Sequence, residues 1–304
     1  MMIALDTRLG RIAFNNPILT ASGTFGYAKE LEGTVDFSQL GGIIPKTITV
    51  EPRIGNPPPR TLETPSGLLN AIGLDNDGLE YFLENHLPYL LNLPTAIVVN
   101  IAGKTQNEFV LMCKRLSGYS GITALELNLS CPNVSGGIDF AVNPLLARTI
   151  VEECRAVTEI PLIAKLSPLV ANIVEISRAV ADGGADAVSI ANTFPAMAIN
   201  WRQKKPVLGN KTGGLSGPAI KPIILKLVWE VARANVIPII AVGGIASIDD
   251  IMEYGLAGAS AVQVGTSNFY QPQHCSTFVH NLPDCIASLG YHAWSEMVGA
   301  CHKM

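Results

Sequence analysis

Eight short apolar runs punctuate the chain: 18–22 (ILTAS), 43–47 (IIPKT), 96–100 (AIVVN), 124–128 (ALELN), 162–166 (LIAKL), 187–191 (AVSIA), 238–242 (PIIAV) and 261–264 (AVQV). They are rich in β-branched residues and nearly continuous, as strands buried on both faces are. Helical spacing fills most gaps, over 107–118, 143–158, 171–183, 219–234 and 248–257. Pro161 and Pro238 stand just before or at strand starts, where a missing N–H costs little. Ser247 and Asp250 make an N-cap pair for the last of these helices, with Asp in place of the usual Glu. Eight strands alternating with helices predict right-handed βαβ units and an α/β fold, the (β/α)8 TIM barrel. A doubly wound open sheet competes with it, but would favour fewer strands and a Gly-rich first turn.

Two segments exceed an ordinary barrel connection. Residues 48–95 carry EPRIGNPPPRTLETPSGLLNAIGLDNDG and then a helix, and 194–217 carry FPAMAINWRQKKPVLGNKTGGLSG. Long insertions of this kind are usually functional loops or lids, here at the C-terminal rim. No linker or low-complexity tract interrupts the chain, so a single domain over 1–304 is expected.

The chain is 48% hydrophobic and 15% charged. Its mean hydropathy is +0.31, yet no apolar run reaches the roughly 18 residues of a membrane span. Buried parallel strands account for the hydrophobicity, and the N-terminus lacks a signal-peptide pattern, so a cytoplasmic location is expected. A net charge of −4 lacks the basic footprint of a nucleic-acid binder. The six cysteines are scattered without a C-x-x-C pair, so neither a disulfide framework nor a zinc or iron–sulfur site is expected.

Chemistry in such barrels sits at the C-terminal ends of the strands. Those positions hold Ser22, Lys46, Thr47, Asn100, Asn128, Lys165, Asn192, Thr193, Gly243, Gly244, Gly265 and Thr266. One polar strand end is ordinary; a whole rim of them points to a site. The glycines after the seventh and eighth strands suit phosphate binding, since bare backbone N–H groups and a helix N-terminus attract anions. Gly217, followed by Pro218 at a first helical position, is a second candidate. No P-loop and no G-x-G-x-x-G follows a strand, so neither nucleotide hydrolysis nor an NAD-binding Rossmann unit is supported.

Side-chain alternation puts Glu126 and Asn128 on one face of the fourth strand, and Ile163 and Lys165 on one face of the fifth. An inward Lys165 needs a negative partner. Glu126 is one candidate; an electron-rich cofactor ring is the other. Lys46 suits a substrate carboxylate or the same ring. Asn70, Asn128, Asn133 and Asn192 offer donors and acceptors to a small planar ring. Cys131 follows the fourth strand, and Pro132 restricts it to extended backbone. It is either a packing residue or a group that moves protons.

The motifs NAIGL, NLSCPN, KLSP, ANT, TGGLSGPAIKP, VGGI and VGTSN, in that order, resemble dihydroorotate dehydrogenase, class 1 and class 1B in particular, over roughly 5–270. The resemblance implies an FMN-containing barrel that oxidises (S)-dihydroorotate to orotate. It implies FMN against Ser22, Lys46, Thr47, Asn100, Asn128, Lys165, Ala191, Gly217, Gly243, Gly244, Gly265 and Thr266. Substrate would meet Lys46, Asn70, Ala71, Ile72, Gly73, Leu74, Asn128, Asn192 and Thr193, with Cys131 as base. Ala191 is a departure, because related sequences often have isoleucine there; a backbone contact survives the change. No metal is expected. Electrons would leave for NAD+ through a partner subunit carrying FAD and a [2Fe-2S] cluster, in a heterotetramer with two copies of each subunit. A fumarate-dependent homodimer, a dihydropyrimidine dehydrogenase-like flavin domain and a silent binding barrel are the rival readings. Residues after about 270 carry no motif.

Overall fold

A computed structural model of the protein describes residues 3–130, 140 and 142–303. Eight parallel strands close into a barrel: β1 (Ile18–Thr20), β2 (Gly42–Ile43), β3 (Ala96–Ile101), β4 (Ile122–Asn128), β5 (Leu162–Lys165), β6 (Ala187–Ile190), β7 (Ile239–Val242) and β8 (Ala261–Val264). β8 pairs with β1, so the sheet has no edge. All eight predicted runs are strands, and the open-sheet alternative falls. The second is shorter than its apolar run, because β2 pairs with β1 at a single position, Leu19 with Gly42.

Helices Gln106–Leu116, Pro144–Arg155, Ile173–Asp182, Lys221–Ala234 and Ile248–Ala257 lie between the strands. They pack Phe109, Met112, Ile150, Ile176, Val228 and Ile251 onto the outward strand residues in one large core. Ser247 and Asp250 do form a reciprocal capping box at the last of them. No helix among the described residues is long and apolar enough to cross a membrane.

The barrel interior is graded along its axis. An N-terminal hairpin, Thr7–Leu9 with Ile12–Phe14, places Leu9, Ile12 and Phe14 against Val98, Ala124, Ile163, Ala187, Ile240 and Ala261. Two residues further up, five of these six strands turn polar at the inward position, with Asn100, Glu126, Lys165, Ser189 and Gln263, all buried, while β7 keeps the apolar Val242. The period of two thus turns an apolar floor into a polar layer beneath the rim.

The two insertions, expected as loops or lids, instead pair with each other. Strands Thr61–Thr64 and Gly67–Asn70 join Phe194–Met197 and Thr212–Ser216 in a four-stranded antiparallel sheet. Leu69, Ala71 and Leu208 form its small core. The sheet stands over the C-terminal rim and supplies Asn70, Gly213, Gly214 and Ser216 to one wall of the cleft there.

Candidate active site

The cleft between rim and insertion sheet has a volume of about 960 Å³. It takes at least one residue from the end of seven barrel strands: Ser22, Lys46, Asn128, Lys165, Ala191, Val242 and Gly265. Thr47, Gly217, Gly243, Gly244 and Thr266 also line it, as do Asn70 to Leu74, Asn192 and Thr193. Asn100 does not. It is fully buried in the layer below, where its side chain meets Glu126. Cys131 and Asn133 lie outside the described residues.

Lys165 forms the floor. Only 4% exposed, its Nζ lies 3.5 Å from Glu126 Oε1 and 3.4 Å from Ser22 Oγ. The Glu126 carboxylate is wholly buried and accepts from Asn100 Nδ2 (2.5 Å), Ser189 Oγ (2.6 Å) and Gln263 Nε2 (2.5 Å). The two sequence readings of Lys165 are therefore compatible: it has a carboxylate behind it and the cleft in front.

The rim carries amides. Asn128 Oδ1 accepts from Ser130 Oγ at 2.9 Å and from Asn192 Nδ2 at 3.2 Å. Asn192 Nδ2 also reaches Ser130 Oγ, and its own Oδ1 accepts from the Thr193 amide at 2.8 Å. On the opposite wall Asn70 Nδ2 bonds to the Gly214 carbonyl at 3.4 Å. The Lys46 side chain makes no ion pair among the described residues, although its amide is held by the Gly26 carbonyl at 2.8 Å.

The glycines differ in why they are glycine. Gly244 has φ +74°, and a Cβ there would stand 2.7 Å from the Lys221 backbone, so backbone and packing both demand it. Gly265 has no such demand: an added Cβ would meet Ala21 Cβ at 3.4 Å, an ordinary contact. Its missing side chain keeps the cleft open. The amides of Gly244, Gly265 and Thr266 make no hydrogen bond among the described residues. Bare N–H groups beside a gap, with a buried ammonium at its floor, suit a ligand with an anionic group and a planar polar ring.

A profile of dihydroorotate dehydrogenase matches residues 4–286. The chain is 47% identical over 303 residues to "Dihydroorotate dehydrogenase B (NAD(+)), catalytic subunit" of Desulforamulus reducens, covering 99% of this chain and 100% of that one. It belongs to the dihydroorotate dehydrogenase family. A protein of the same name from Bacillus pumilus is 46% identical over 300 residues, covering 98% and 97%. The fold matches that in a crystal structure of DHODH in complex with ferulenol from Eimeria tenella, with a TM-score of 0.83 at 23% identity, covering 99% of this chain and 89% of that one.

Sequence reasoning missed several residues of this family member's cleft. Tyr27 and Glu30 follow β1, and Phe269, Tyr270 and His274 follow β8. The tail that carried no motif thus reaches the site. Burial lowers the His274 pKa, and burial with the nearby Asp77 and Glu30 charges raises that of the Tyr27 hydroxyl. Neither has a local sequence signal: one tyrosine in a polar loop and one histidine starting a helix look like surface residues.

Proposed function

We propose that this chain is the catalytic subunit that oxidises (S)-dihydroorotate to orotate in pyrimidine biosynthesis, with FMN as its own cofactor. Its electrons go to NAD+ through a partner subunit. Family membership supports the reaction, and the names of the relatives support the NAD+ acceptor and the existence of a partner. The observation that carries the reading is the convergence of Asn70, Asn128 and Asn192 over a floor made by Lys165.

The residues fit FMN. Gly217, Gly243, Gly244, Gly265 and Thr266 are suited to its phosphate and ribityl chain, through bare amides and an open floor. Ser22, Lys46, Thr47, Asn128, Lys165 and the backbone of Ala191 are suited to the ring, with Asn100 buried directly behind Glu126. Bound FMN supplies the hydride acceptor.

Dihydroorotate becomes orotate by losing a proton from C5 and a hydride from C6 as the C5=C6 bond forms. Lys46 meets the substrate carboxylate. The amides of Asn70, Asn128 and Asn192, with Thr193 and the Ala71–Leu74 backbone, orient the ring, and such positioning supplies much of a catalytic rate. Cys131 takes the C5 proton as its thiolate. The partner subunit carries FAD and a [2Fe-2S] cluster, in a cytoplasmic heterotetramer of two catalytic and two electron-transfer subunits. This chain acts as a single domain.

Co-expression with the partner tests this reading. The purified complex is expected to contain FMN, FAD and iron, and to reduce NAD+ when given dihydroorotate. Turnover of the isolated chain with fumarate, and no gain from the partner with NAD+, would contradict it.

A further inference from the structure

Glu126 is fully buried and touches neither the cleft nor solvent. Residues from three strands, Asn100, Ser189 and Gln263, aim donors at it, and Lys165 Nζ lies 3.5 Å from Oε1, the oxygen that also accepts from Asn100. Those donors come at a cost elsewhere. Asn100 Oδ1 and Gln263 Oε1 are buried without a hydrogen-bond partner among the described residues. Both amides turn their N–H groups to Glu126 and leave their oxygens unmatched, which is the arrangement for an ionised carboxylate.

We propose that Glu126 is a positioning residue that keeps Lys165 protonated and fixed at the cleft floor in both oxidation states of the flavin. This rests on the FMN reading above. A lysine this deeply buried loses its proton readily unless an opposite charge is close. Among the described residues only Glu126 lies within ion-pair distance of Lys165. The hydrogen-bonding neighbour of its ammonium, Ser22 after β1, is neutral, and so is Ser189, its register partner on β6. Lys46 lines the same cleft, as do Tyr27, Glu30, Asp75 and His274. With Glu126 in place the floor carries a matched pair, and its charge does not change when the flavin gains electrons. Without it, Lys165 would be neutral while the flavin is oxidised and would take up a proton when the flavin gains negative charge.

The test is the pH dependence of the FMN midpoint potential, measured with a chemical reductant in place of dihydroorotate. Glu126→Gln keeps the shape, and turning the Gln263 or Asn100 amide offers an unmatched oxygen to the new N–H. In this variant reduction should take up additional protons, approaching one per flavin. The potential should then fall with pH more steeply than in the wild type, by up to about 30 mV per pH unit, the two-electron equivalent of tenfold. Glu126→Asp, which keeps the charge, should retain the wild-type slope, and Glu126→Gln with Lys165→Met should lose the extra steepness. Parallel slopes in wild type and Glu126→Gln would overturn the proposal, whatever the absolute potentials.

Apoprotein melts provide a second reading that needs no bound flavin. The double variant should recover at least half of the Tm lost in Glu126→Gln, because it removes the unpaired lysine. No recovery would overturn the pairing. A wild-type protein that binds no FMN would instead count against the function proposed above, and the melts would still decide the role of Glu126.

Discussion

Asn192, just after β6, donates from Nδ2 to Oδ1 of Asn128 at the end of β4, 3.2 Å away. The contact spans β5 and ties two sides of the rim together, with Ser130 bonded to both amides. Each amide keeps capacity for a ligand while being held by the other. That is the preorganisation a small polar ring requires.

Asn192→Ala is therefore expected to weaken substrate use more than flavin binding. Loss of one oriented hydrogen bond to a charged or polar ligand costs about 1.5–3 kcal/mol, or roughly tenfold to a hundredfold in kcat/KM. Steady-state kinetics alongside FMN titration separates the two effects. An equal loss of FMN affinity would assign Asn192 to the cofactor instead.

The two rim glycines make opposite predictions. Gly244→Ala forces a side chain into φ +74° and against the Lys221 backbone, so stability should fall by more than about 1 kcal/mol. Gly265→Ala meets only Ala21 at van der Waals distance. Its melting temperature should stay close to wild type while FMN binding weakens at least about tenfold, close to 1.4 kcal/mol. Unchanged FMN affinity in Gly265→Ala would place the cofactor elsewhere.

Asp250 links stability to pH. Burial alone would raise its pKa, but Lys221 at 2.5 Å and the amides of Ala246 and Ser247 outweigh it, and the net shift is downward. A carboxylate with a depressed folded pKa contributes stability that is complete above its unfolded value, near ~3.9. That contribution is lost as pH falls through the folded value. Asp250→Asn should thus lower stability at pH 7 by about 1 kcal/mol, allowing for partial exposure. The gap from wild type should close below about pH 3. Melts across pH would show it; a constant gap would mean the loss is steric.

The barrel was legible because its strands are buried on both faces and so read as apolar runs without alternation. Ile163 and Lys165 were legible as neighbours on one face for the same geometric reason. The insertion sheet was not. Its strands are short, lie among prolines and glycines, and pair Asn70 with Gly214, 144 positions away, a register no local pattern encodes. Nor was the full polar layer: Ser189 and Gln263 sit inside apolar runs as single polar residues, and only closure of the barrel brings both to Glu126. The glycine sites were legible as motifs, but the contrast between Gly244 and Gly265 needed the neighbours around them.

Cys131 lies outside the described residues, and its proposed role as base is tested kinetically. Cys131→Ala should retain FMN but slow flavin reduction by dihydroorotate by roughly 10²–10⁴-fold near neutral pH, the usual range for a general base. In the wild type the single-turnover rate should rise with pH as the thiol ionises, and in the variant that rise should disappear. Equal single-turnover rates would remove Cys131 from the reaction.

The most direct measurement is an anaerobic titration of the FMN-loaded chain with dihydroorotate, followed by visible absorbance. The yellow flavin band should bleach stoichiometrically, with orotate appearing in equal amount and no partner subunit needed for this half of the reaction. A protein that binds FMN and stays yellow with excess dihydroorotate would contradict it.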